Sequence, residues 1–112
     1  MALLASAPLE RTGVRIDTGA AAAAGGDTFQ NTGYEILSVR NGSAASINVT
    51  ITGVTVSNAV VAVPAGATVL IGPFPPGRYN DTQGRVAVAY SAVATVVVAV
   101  LRHLVPDAET SY

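Results

Sequence analysis

The sequence predicts an all-β fold, a single antiparallel β-sandwich or barrel-like domain of about six to eight short strands. Three observations point there. Large apolar residues alternate with polar residues over 46–54 and with small alanines over 85–91. Turn signals such as Asn41-Gly42 and Pro64-Ala65-Gly66 recur at roughly ten-residue spacing. No segment keeps a helical period for more than a turn or two.

A chain of 112 residues fits one domain. Half of the residues are hydrophobic but only 12% are charged, well under the usual ~25%. A free monomer keeps more surface charge than this for solubility, so part of the surface is expected to be hidden in an assembly. The six arginines are scattered and lysine is absent. No basic run follows a phosphate backbone, so no nucleic-acid partner is expected. Cysteine is absent, which removes disulfides, thiolate metal sites and cysteine nucleophiles. Residues 1–8 lack the basic start and the long apolar core of a signal peptide. No apolar run approaches the ~20 residues of a membrane helix, so no membrane partner is expected and the chain reads as soluble and cytosolic when made.

Taken in order, residues 1–13 carry no clear period and read as an extended N-terminal arm that needs a partner to be tied down. A β-domain over 14–104 and a polar tail over 105–112 complete the expected organisation. A short first strand is expected at 14–17. The five alanines at 20–24 favour helix locally, but the segment is too short to hold one. It reads as a surface loop or, alternatively, as a small-residue surface that lets another backbone approach closely. Phe29 anchors the turn that follows.

Residues 34–40 read as a strand with Leu37 and Val39 on one face. Asn41-Gly42 is a strong hairpin signal, and residues 46–54 alternate with Ile47, Val49 and Ile51 on one side. A β-hairpin is therefore expected over 34–54. Residues 59–63 and 67–71 are two further short strands around Pro64-Ala65-Gly66. Residues 85–91 alternate, with small alanines on one face that permit close packing. Residues 95–101 are apolar on both faces and are expected to form a central strand.

No constellation carries chemistry. His103, the sole histidine, has no rigid carboxylate and serine beside it in sequence, so a nucleophile site is not expected. The acids match no calcium loop and no phosphate-binding glycine motif occurs. Asn80-Asp81-Thr82 reads as a turn that shapes its loop. Three glycosylation-type triplets, at Asn41, Asn48 and Asn80, mean little without a secretion signal. The chain is expected to need no cofactor and no metal, and not to be an enzyme.

The run 63–90 concentrates rigid material: four of the six prolines fall in it, and Phe74 and Tyr79 lie in its loop at 72–84. Gly72-Pro73-Phe74-Pro75-Pro76-Gly77 tends to polyproline II and loses little entropy on docking. Phe74 either plugs the protein's own core or anchors a partner. Arg78 and Tyr79 are of types enriched at interface hot spots. The candidate partner-binding residues are accordingly Leu3, Leu4, Leu9 and Arg11 in the arm, with Phe74, Pro75, Arg78 and Tyr79 in the loop.

Several short motifs share an order with a known group. They are Gly26-Asp27-x-Phe29-x-Asn31, Val39-Arg40-Asn41-Gly42, Val63-Pro64-Ala65-Gly66 and Ile71-Gly72-Pro73-Phe74-Pro75, then Tyr79-Asn80-Asp81, Gly84-Arg85-Val86 and Tyr90-Ser91. Together, over residues 26–102, they resemble small tailed-bacteriophage virion proteins encoded beside the major capsid protein. The resemblance implies a structural protein, best fitting capsid decoration or cement. Such a protein clamps major capsid subunits from outside the head, as a homo-oligomer (trimer or dimer), and resides in the virion. Two other roles stay open: a head–tail connector or tail component, and a displayed carbohydrate- or host-binding module.

Overall fold

A computed structural model describes residues 2–8 and 19–102. The described chain is a β-sandwich, as the alternation predicts. Its strands are β1 (Ala2–Leu4), β2 (Ser6–Pro8), β3 (Ala20–Ala21), β4 (Asp27–Gln30) and β5 (Glu35–Asn41). They continue with β6 (Ile47–Ile51), β7 (Ala59–Val63), β8 (Thr68–Ile71), β9 (Arg85–Tyr90) and β10 (Val96–Arg102). One helical turn, α1 (Pro76–Tyr79), precedes β9.

One sheet has the order β1-β4-β9-β6-β7; the other has β2-β10-β5-β8, with β3 also paired to β10. Both are antiparallel apart from β1 on β4 and β2 on β10, which are parallel. Period-2 strands put alternate side chains between the layers. Ile47, Val49 and Ile51 of β6 are buried, as are Val86 and Val88 of β9 and Val96, Val98 and Val100 of β10. Burying each such side chain stabilises the fold by roughly 1.5–3 kcal/mol before entropy is counted. β10 lies inside its sheet between β2 and β5, which agrees with the central strand expected there.

The expected hairpin over 34–54 does not form. β5 and β6 belong to different sheets, and the chain crosses the sandwich between them. Asn41 makes the corner. It is fully buried, and its Nδ2 donates to the carbonyls of Ala45 (2.8 Å) and Val63 (3.0 Å). Its Oδ1 accepts from the Ser43 amide (3.0 Å) and hydroxyl (2.6 Å). An Asx-type turn thus replaces the two-residue hairpin turn, and the next strand is sent to the opposite layer. Among the described residues, consecutive strands pair directly only at β6–β7.

The alanine segment contributes β3, and Gly19 just before it lies against β10. A Cβ at Gly19 would sit 2.2 Å from the Val98 carbonyl oxygen. The small residues admit a neighbouring backbone, and that backbone is the chain's own. Residues 2–8 of the expected arm are extended and paired: β1 edges one sheet and β2 the other, with Ala5 between them. The strand expected at 14–17 and the tail at 105–112 lie outside the described residues.

Candidate partner-binding surface

The loop at 72–84 is fixed from inside. Phe74 is buried, with its ring 5.5 Å from Phe29 and 6.0 Å from Tyr79, the latter edge-on. That decides between plug and anchor: Phe74 closes one end of the sandwich core, and its place among the partner-binding residues is corrected accordingly. Aromatic pairs at these separations add about 0.5–1.5 kcal/mol beyond burial. Tyr79 is half-buried behind it.

Two asparagines clamp the loop to the turn after β4. Asn31 Nδ2 donates to the Phe74 carbonyl (2.9 Å) and to Asn80 Oδ1 (2.7 Å). Asn80 Nδ2 donates back to the Asn31 carbonyl (3.0 Å). Beneath them, buried Glu35 accepts from the Thr32 amide (2.6 Å) and hydroxyl (2.9 Å), so its charge is met by local donors. At the loop's far end, Asp81 Oδ1 accepts the amides of Arg85 (3.0 Å) and Gln83 (2.8 Å). Those two N–H groups, Arg85's first, hold the carboxyl below its ordinary value of 3.8. The turn expected at Asn80-Asp81-Thr82 is therefore present.

α1 begins with Pro76 at its first position, where a missing N–H costs nothing. It leaves Pro75, Pro76, Gly77 and Arg78 exposed. The β6–β7 connection packs on this turn. The Val54 amide donates to the Arg78 carbonyl (2.8 Å), and Thr55 Oγ1 donates to the Gly77 carbonyl (3.0 Å). Gly53 makes that connection possible, because a Cβ there would lie 2.0 Å from the Val56 carbonyl oxygen. The result joins exposed Pro75 and Arg78 to Val54 and Val56, which are 54% and 39% exposed. The two valines escape a sequence reading because Thr55 and Ser57-Asn58 make their segment look like a polar turn. Their signal was the Val-Thr-Val alternation running on past β6.

The other candidate residues fall elsewhere. Leu3 is exposed on the outer face of the first sheet, opposite Thr28. Leu4 is buried opposite Phe29 and belongs to the core rather than to a partner. Leu9 and Arg11 lie outside the described residues, as does His103. A groove of about 300 Å³ opens beside the loop, lined by Gly33, Tyr34, Ile36 and Pro73.

No reactive set gathers on this surface. Among the described residues, no three His, Asp or Glu side chains cluster as metal ligands, and no helix is long and apolar enough to cross a membrane. The nearest approach to a polar centre is interior. The Tyr90 hydroxyl donates to Asp27 Oδ2 (2.7 Å), while Asp27 Oδ1 is buried without a partner. Burial first, then this hydrogen bond, raises the Tyr90 phenol far above its ordinary value. The pair staples β4 to β9 at the core margin. No family model, curated protein or solved structure matches this chain.

Proposed function

We propose that this protein is a non-enzymatic virion structural protein that decorates the outside of a phage head. In this reading it clamps neighbouring major capsid subunits, with copies meeting as a trimer or dimer near a local symmetry axis. The observation that carries the reading is the rigid end surface at Val54, Val56, Pro75 and Arg78. It is pre-ordered by the Asn31–Asn80 clamp and the Phe74 plug and carries apolar and guanidinium groups suited to docking. Preorganisation of this kind lowers the entropy lost on binding. The short-motif resemblance to proteins encoded beside the major capsid protein supports the same role. A standard interface needs only ~800 Å² per partner, and symmetric copies multiply it.

The test is to add the purified chain to undecorated heads and measure occupancy and the temperature at which the heads open. Saturable binding with a raised opening temperature is expected, and Arg78→Ala combined with Val54→Asp should reduce occupancy at least ten-fold. Absence of binding to heads, or a labelled copy located on the tail by negative-stain imaging, would overturn the proposal in favour of a connector or tail role.

A further inference from the structure

β7 is an open sheet edge. Among the described residues nothing pairs with its outer side. Natural edge strands are protected by lysine, internal proline, bulges or inward charges; β7, Ala-Val-Val-Ala-Val, has none of these. The lack of charge extends much further. Residues 41–77 contain no Asp, Glu, Lys, Arg or His. This third of the chain builds β6, β7 and β8, and so both open edges of the sandwich. Of the six large hydrophobic residues exposed among the described ones, Val54, Val56, Val60 and Leu70 belong to it.

The backbone directions of β7 follow from its neighbour. In β6 the Asn48 carbonyl accepts from the Ser91 amide, and just past it the Thr52 amide donates to the Ala87 carbonyl. Even-numbered residues of β6 therefore face β9 and odd-numbered ones face β7, since directions alternate along a strand. With Ile47 opposite Val63, Val49 opposite Val61 and Ile51 opposite Ala59, those three β7 residues bond inward. Val60 and Ala62 are left pointing their N–H and C=O groups out from the edge.

We infer that β7 is a self-pairing edge, on which a second copy of this chain docks its own β7 antiparallel about a two-fold axis at Val61. In that register Val60 of each copy lies opposite Ala62 of the other, and the two outward residues on each side exchange four backbone hydrogen bonds. The pairing sets a large side chain against a small one. Val61, on the inner side of the strand, meets its own copy at the axis. A neutral strand offers no like-charge penalty against itself, and a two-fold contact closes after two copies. The inference rests on the reading above only in taking copies of the chain to associate; the edge itself is independent of any capsid.

Sedimentation equilibrium of the full chain is expected to give twice its 11.2 kDa mass. Ala62→Pro removes one outward N–H at a position where an edge strand tolerates proline, and it should weaken the dimer at least ten-fold while circular dichroism stays unchanged. Since the chain has no cysteine, Val61→Cys places a single thiol on the axis, where a non-hydrogen-bonded pair brings Cα atoms to ~4.5 Å; mild oxidation should give a covalent dimer. Val69→Cys, at the corresponding place on β8, should not cross-link. A monomer at all concentrations overturns the inference, and so does a dimer that cross-links through Val69→Cys or through neither variant. Dimerisation through Val61 without head binding would keep this inference and sink the capsid reading instead.

Discussion

Phe74 shows how one residue can look like a binding anchor and serve the core. Its flanking prolines and glycines are typical of a presented loop, yet the ring is 3% exposed and contacts Phe29 and Tyr79. Phe74→Ala is expected to destabilise the isolated protein by roughly 3–5 kcal/mol, measured by denaturant unfolding. Compared at a temperature where the variant is folded, head occupancy should fall less than in the Arg78→Ala, Val54→Asp variant, because only the pre-ordering of the surface is lost. Asp81 works differently, since it is a fully exposed side chain with a local task. Its folded carboxyl titrates below the ordinary value because the Arg85 and Gln83 amides bond the ionised form. A group with a lowered folded value contributes stability that is present above the unfolded value and lost as pH falls through the folded one. The loop should therefore hold its amide shifts at neutral pH and lose them only below about pH 3.8. In an NMR titration the Gln83 and Arg85 amides should move together, and Asp81→Asn should abolish that acid transition.

At the scale of elements, the alternating strands were legible and the corners were not. β6 and β9 follow directly from period-2 patterning, because one face of each is buried by the opposite layer. β10 was recognisable as interior from its apolar run. Asn41-Gly42 misleads because the dipeptide specifies a turn and leaves open which layer receives the next strand. That choice was made by the Asn41 amide reaching the Val63 carbonyl, 22 residues away, a contact no local pattern encodes. Four polar side chains tie the corners and loops: Asn31, Asn41, Asn80 and Asp81. Asn41→Ala would remove the buried donor that reaches the Val63 carbonyl and release the Ser43 turn, at about 1–3 kcal/mol. Thermal unfolding should fall by several degrees, and hydrogen exchange should rise at Ser43 and along the β6–β7 pair before it rises in β10.

At the scale of the whole molecule, the sandwich has one strapped side and one open side among the described residues. β1 and β2, with only Ala5 between them, cover the β4 edge of one sheet and the β10 edge of the other. β7 and β8 end the same two sheets on the far side and have no covering strand among the described residues. The uncharged residues 41–77 build both strands of the open side, so the edge proposed to associate carries no charge of its own. An edge that pairs with its own copy closes after two chains, provided the opposite side stays covered. Deleting residues 2–8 uncovers the β4 edge and the Val100–Arg102 part of the β10 edge, β3 still pairing with Val97 and Val98, and removes buried Leu4, which alone is worth roughly 1.5–3 kcal/mol. The truncated chain then has open edges on both sides, a geometry that propagates instead of closing. Sedimentation velocity should show the full chain as a single dimeric boundary and the truncated chain as a concentration-dependent series of larger species. Adding Ala62→Pro to the truncation should shorten that series, because it blocks one of the two edges each step needs. A truncated chain that remains dimeric and equally stable would mean that the strap protects nothing, and the role of residues 2–8 would then have to lie in contact with a partner.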